Sequence, residues 1–116
     1  MAKRAHPEDD IQMAVAEHLR RRALPGVVWW HVANGGFRNA REAARLKKMG
    51  VLAGVADLIL FHRKRLYALE LKAPGGRPTE AQLAFLDAIS AAGGFGCVCE
   101  GLDRSLAVLK AWGLIR

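Results

Sequence analysis

The stretch Asp57-Leu58-Ile59-Leu60-Phe61-His62-Arg63-Lys64-Arg65-Leu66-Tyr67-Ala68-Leu69-Glu70-Leu71-Lys72 decides how the chain folds. Two short apolar runs flank the basic segment His62 to Arg65, and both are bounded by turn-like residues. They read as neighbouring strands of one antiparallel hairpin. A loop closed symmetrically between Arg63 and Lys64 sets Asp57 opposite Glu70. Facing residues of such a pair have Cβ atoms about 4.5–5.5 Å apart, and two carboxylates that close repel unless a cation lies between them. Lys72, two residues beyond Glu70, shares its face. The hairpin therefore predicts a metal site with an amine beside it.

The rest of the chain supplies the frame. Ile11, Val15 and Leu19 form an apolar stripe on a first helix from about Glu8 to Arg22, begun at Pro7 and ended at Pro25-Gly26. Val27 to Val32 is β-branched and aromatic, hence a strand, and Asn34-Gly35-Gly36 breaks it. A short basic helix from about Phe37 to Lys48 stops at Gly50. After the hairpin, Pro74 to Pro78 is a loop, and a helix from about Thr79 to Ala92 turns Phe85, Leu86 and Ile89 inward, ending at Gly93-Gly94. Phe95 to Glu100 reads as a strand, and Asp103 to Trp112 as a last helix capped by Asp103. The order α-β-α-β-β-α-β-α predicts an α/β fold, a mixed sheet flanked by helices, in one domain over residues 1–116.

The totals narrow the partners. The 116 residues carry 18 Lys plus Arg against 11 Asp plus Glu, a formal charge of +7. Such an excess favours a polyanion, bound through phosphate neutralisation and counterion release. No apolar run approaches the roughly 20 residues of a membrane span. Met1 to Pro7 leads into acids, not into an apolar signal segment, which predicts a cytoplasmic protein without membrane contact. Cys97 and Cys99 share the face of a strand as small buried hydrophobes, and the four histidines are scattered, so structural zinc is not expected. Trp29, Trp30 and Trp112 have apolar neighbours and are expected in the core or at a subunit contact.

Phosphodiester hydrolysis needs an activated water and a cation to offset charge on the phosphorane and the leaving oxygen. Carboxylates holding Mg²⁺ or Mn²⁺ meet both needs. Asp57 and Glu70 are the candidate metal ligands, the Leu71 carbonyl a further one, and Lys72 the amine that acts as general base or electrostatic support. An E-x-K triplet by itself is common. Here the charges stand where a core strand would carry Val or Ile, and acids and lysines are seldom buried without partners.

Gly54-Val55-Ala56-Asp57 followed by Glu70-Leu71-Lys72 resembles the restriction-endonuclease-like PD-(D/E)XK fold. Together with Asn34-Gly35-Gly36, Lys47-Lys48-Met49-Gly50, Ala73, Gly76-Arg77-Pro78-Thr79 and Gln82, the set resembles the virus-type replication-repair nuclease (VRR-NUC) domain from about Glu8 onward. Ala56 stands where that family usually has proline, a residue that shapes the backbone and ligates nothing. The resemblance implies a metal-dependent endonuclease acting on DNA. Small stand-alone members, of phages or of their bacterial hosts, cleave branched DNA such as Holliday junctions as homodimers. It also implies an acidic residue in the first helix as an extra ligand, here Glu8, although Glu8, Asp9 and Asp10 would equally stabilise the helix dipole. Gln82 is implied as a catalytic residue orienting water or a ligand; its rival role is a capping box with Thr79. Arg38, Arg41, Arg45 and Lys48 recur at helical spacing as one basic stripe and, with Arg77, are the candidate DNA contacts. The hairpin tip Arg63-Lys64-Arg65 is a weaker one. The alternatives are a nickase or flap-type nuclease on simpler DNA, and a DNA-binding module without chemistry.

Overall fold

A computed structural model describes residues 6–33 and 39–116, so Asn34-Gly35-Gly36 and Arg38 lie outside the described residues. The elements are α1 (Pro7–Arg22), β1 (Val28–His31), α2 (Ala40–Lys48), β2 (Leu58–His62), β3 (Arg65–Lys72), α3 (Glu80–Ala91), β4 (Phe95–Glu100) and α4 (Gly101–Ala111). Their order is the one the sequence predicts.

The four strands form one sheet in the order β1-β2-β3-β4. The first two pairings are antiparallel, and β3 runs parallel to β4. Parallel neighbours need a crossover, and α3 supplies it. Strand alternation then divides the core in two. Leu58, Leu60, Leu69 and Leu71 face Val15 and Leu19 of α1 and Leu109 of α4. Ala56, Ile59 and Ala68 face Leu86 of α3, with Phe85 and Ile89 packed beside it. Both faces of β2 and β3 are covered, which is why their sequences are nearly continuous apolar runs. The end of α1 is tied to the C-terminus, since Leu24 N–H donates to the Leu114 carbonyl and Arg116 N–H to that of Arg22.

The helix ends hold one surprise. α2 starts after Asn39, whose side chain accepts from Glu42 N–H, and α3 after Thr79, which accepts from Gln82 N–H. Asp103, expected to cap α4, instead sits inside its first turn. Gly101, with φ of 82°, lets the chain pass from β4 directly into the helix, so no loop separates the two. Glu100 occupies the cap position without a side-chain cap bond.

The loop before β2 is locked onto the start of α3. Gly54 has φ of 80°, and a Cβ there would overlap the Ala81 carbonyl and press on the Gln82 backbone nitrogen. A left-handed backbone with a side chain costs about 1–2 kcal/mol before any clash. Gly54→Ala is therefore expected to lose about 2 kcal/mol or more of unfolding free energy, read as a lower urea midpoint. An unchanged midpoint would mean that this loop is not seated on α3.

Candidate active site

The register of β2 on β3 builds the site. Leu58 pairs with Leu69 and His62 with Arg65, so the step beyond Leu58 brings Asp57 level with Glu70, as the hairpin predicts. An oxygen of the Asp57 carboxylate (Oδ2) accepts from Leu71 N–H at 2.8 Å. The Asp57 carbonyl accepts from Val32 N–H at 2.9 Å and from His31 Nδ1 at 2.7 Å, which assigns the proton to that nitrogen. Asp57 is thus held from both neighbouring strands, through its backbone by β1 and its side chain by β3.

Glu70 is 2% exposed and Lys72 8%. By alternation both leave β3 on the Ala68 side, toward α3. The Lys72 ammonium lies 3.6 Å from Glu70 Oε2 and 3.8 Å from Glu8 Oε1, a cation between two carboxylates. Glu8 reaches it from the first turn of α1, and Gly76 closes over both, since a Cβ there would come within 3.5 Å of Glu8 Oε2 and 3.6 Å of Lys72 Cβ. The loop carrying Gly76 is fixed in turn by Gly75 N–H, which donates to Glu100 at 2.6 Å.

Burial, and then the neighbouring Asp57 charge, push the Glu70 carboxyl up to about 8, against the smaller opposing pull of Lys72. Its Oε1 is buried and has no hydrogen-bond partner. A carboxylate in that condition is short of positive charge. Two carboxylates and a backbone carbonyl suit a Mg²⁺-type ion, which keeps several waters and binds through only one or two protein carboxylates. Among the described residues no group of three or more His, Cys, Asp or Glu is placed to hold a metal ion.

The remaining expected residues divide. Gln82 forms the capping box in full: its Oε1 accepts from Thr79 N–H at 2.9 Å while its own N–H donates to Thr79 Oγ1 at 3.2 Å. That oxygen is engaged at the helix start, and the residue also lines a neighbouring cavity. The cavity, of about 860 Å³, lies between α2, residues 50–55 and the start of α3, and includes Leu46, Val51, Leu52 and Gln82 among its walls. None of Asp57, Glu70 or Lys72 lines it. Arg41, Arg45, Lys48 and Arg77 are all exposed, the first three on a helix that buries no residue of its own.

Gln12, which helical spacing places on the same face as Glu8, has no role assigned from the sequence. It lies one turn after Glu8, and both polar atoms of its amide are buried without a hydrogen-bond partner. A polar residue beside the apolar stripe of α1 was the available signal.

The chain matches the family model of the VRR-NUC domain over residues 6–103. It belongs to that family. A solved structure titled "VRR_NUC domain protein" superposes with a TM-score of 0.75 at 24% identity, over 95% of this chain and 90% of the other. At that identity the likeness shows a shared fold. No curated protein matches the chain. VRR-NUC membership makes this a nuclease domain, with DNA as the implied substrate.

The Lys72 ammonium is the counter-charge that lets Glu70 stay buried. At pH 9, above the value of about 8 at which Glu70 ionises, Lys72→Met is expected to destabilise the fold by about 3 kcal/mol, because breaking a buried pair strands the partner charge. Adding Glu70→Gln should restore much of that loss, giving a coupling well above 1 kcal/mol in a double-mutant cycle by urea denaturation. Additive effects would mean that the two side chains do not share one ion pair.

Proposed function

We propose that the chain is a Mg²⁺- or Mn²⁺-dependent endonuclease that hydrolyses DNA phosphodiesters, selective for branched DNA such as a Holliday junction, and acting as a homodimer. The observation that carries the metal reading is the buried, unpartnered Glu70 Oε1 beside the Asp57 carboxylate. Asp57 and Glu70 hold the ion, with the Leu71 carbonyl as a further ligand and Glu8 as an outer one. Bound there, the metal supplies Lewis-acid charge at a non-bridging phosphate oxygen and lowers the pKa of water.

The protein's own part is positioning and electrostatics. The Leu71 N–H fixes one Asp57 oxygen, leaving the other for the ion. Lys72 sits where its ammonium can orient the attacking water or offset charge developing on the phosphate. Glu8, the second carboxylate on that ammonium, holds it in place while Glu70 serves the metal. Gln82 contributes through its amide nitrogen, since its oxygen is committed to the helix cap. Arg38, Arg41, Arg45, Lys48 and Arg77 hold the sugar-phosphate backbone, a role supported by the charge of +7 and, for the last four, by their exposure.

The homodimer has its own support. Val28, Trp30 and Phe61 are 57%, 47% and 44% exposed. Val28 pairs with Phe61, and Trp30 with Ile59, so all three stand on one face of the β1–β2 edge. The tryptophan expected in the core or at a contact is thus on the surface, in an apolar patch of the kind that marks protein contacts.

A panel of linear duplex, flap, fork and four-way junction tests the reading, run with Mg²⁺, Mn²⁺ or EDTA. Asp57→Asn, Glu70→Gln and Lys72→Ala should each lower cleavage by about a hundredfold or more, the usual size for a lost acid–base or charge-stabilising group. Variants that cut like the parent would end the catalytic assignment. Cleavage confined to simple flaps, or one cut strand per junction, would favour the flap nuclease or the nickase. DNA binding that survives EDTA with no cut under any metal would favour a binding module. Mg²⁺ should also raise the parent's melting temperature and leave Glu70→Gln unmoved. Sedimentation as a monomer at micromolar concentration would rule out the dimer.

A further inference from the structure

The tip of the β2–β3 hairpin is made of residues that its backbone disfavours. Arg63 and Lys64 have φ of 50° and 66°, closing a two-residue turn across the His62–Arg65 pair. A turn with positive φ at both positions is normally built from Asn-Gly, which adopts it without strain. Long cationic side chains at both places call for a reason, and strain of this kind tends to collect where function needs it. Four consecutive cationic or titratable residues, His62 to Arg65, have no acidic partner within ion-pair distance among the described residues.

Beside the turn is a cavity of about 330 Å³ lined by His62, Arg63, Arg65, Tyr67 and Trp112. Its aromatic wall is rigid: the Trp112 and Tyr67 rings are 5.1 Å apart, and Tyr67 in turn stacks on Phe95 at 5.1 Å. His62, Arg65 and Tyr67 project, by alternation, from the sheet face opposite Glu70 and Lys72. Arg65 and Lys72 end the same strand, about 23 Å apart at 3.3 Å per residue. The basic cavity is therefore separate from the carboxylate site in both face and position.

We propose that this cavity is a second nucleic-acid site, holding one unpaired nucleotide of a DNA strand, with its phosphate against Arg63, Arg65 and His62 and its base against Trp112. It rests on the reading of DNA as the substrate. Guanidinium forks match phosphate, and a base stacks on an aromatic ring only once it is free of its pairing partner. A cavity of about 330 Å³ is of the size of one nucleotide rather than of a base pair. Lys64, beyond the rim, continues the positive track along the strand.

The test measures binding in EDTA by quenching of indole emission and by anisotropy, with three ligands: a single strand of about ten nucleotides, the duplex of equal length, and a free nucleoside monophosphate. The variants are Arg63→Asn combined with Lys64→Gly, and Trp112→Phe. The single strand should quench the parent, and the duplex should not. The turn variant should melt higher than the parent, because its residues suit the backbone, yet bind the strand several-fold more weakly. Its log-affinity against log-salt slope should be shallower by about one to two, one per lost phosphate contact. Trp112→Phe should lose most of the quench.

Equal strand affinity in the turn variant, equal quenching by duplex, or a quench that survives Trp112→Phe would overturn the proposal. A monophosphate that binds as tightly as the strand would reassign the cavity to free nucleotides. A parent that cuts no DNA but shows this pattern would remove the nuclease reading and leave the cavity. A parent that cuts junctions without it would remove the cavity alone.

Discussion

The register of β2 against β3 is the constraint on which the molecule depends. Side chains alternate across a strand, so a slip of one residue would exchange the two faces of the hairpin. Leu69 and Leu71 would leave the α1–α4 core, and Glu70 and Lys72 would enter it. The same pairing that buries four leucines beneath α1 and α4 sets Asp57 level with Glu70 on the other side. Core and site are two consequences of one alignment, so selection on the leucines also preserves the placement of the carboxylates.

That coupling explains why the hairpin was legible from letters. The two apolar runs are centred on Arg63-Lys64, and symmetric closure alone fixed the pairing that the strands adopt. The element order followed from Gly, Pro and periodicity in the same way. What the sequence obscured were choices between two local uses of one residue. Gln82 satisfies a capping box and also faces a cavity, and spacing cannot say which atom goes where. Asp103 carries a cap signal, but Gly101 removes the loop a cap would end. Trp30 sits in an apolar run yet lies on an edge strand that α3 does not reach, and edge position is a tertiary property. Spacing places Gln12 on the Glu8 face but gives it no role, since a polar residue on a helix is ordinarily solvated, and only the packed structure shows its amide shut away from water.

Electrostatics and packing oppose one another at the centre of the site. Burying Glu70 beside Asp57 is unfavourable, and Lys72 offsets it only in part, since the carboxyl remains pushed up to about 8. A sheet optimised for stability would place a β-branched residue there. The protein instead holds two carboxylates and an amine within a few ångströms, in a cradle fixed by backbone hydrogen bonds to Asp57 from the β1 and β3 sides and by the Gly76 loop. Preorganisation of this kind leaves little to rearrange when a counter-charge arrives.

The hairpin tip shows the same compromise on the surface. Asn-Gly at positions 63 and 64 would relieve the backbone at no loss of packing, since neither residue contributes to either core cluster. Retaining Arg and Lys keeps two positive charges at a point where they have no acidic partner among the described residues, beside the packed Tyr67 and Trp112 rings. Stability is thus given up at two places, the buried carboxylates and the strained turn. The first leaves negative charge short of a counter-ion, the second leaves positive charge exposed. Their separation along β3 is about the width of a DNA duplex, some 20 Å or slightly more by strand geometry. A substrate that touches both must present two segments to opposite faces of the sheet. Under the two proposals above, a straight duplex cannot do that, whereas DNA with an unpaired strand or a branch can.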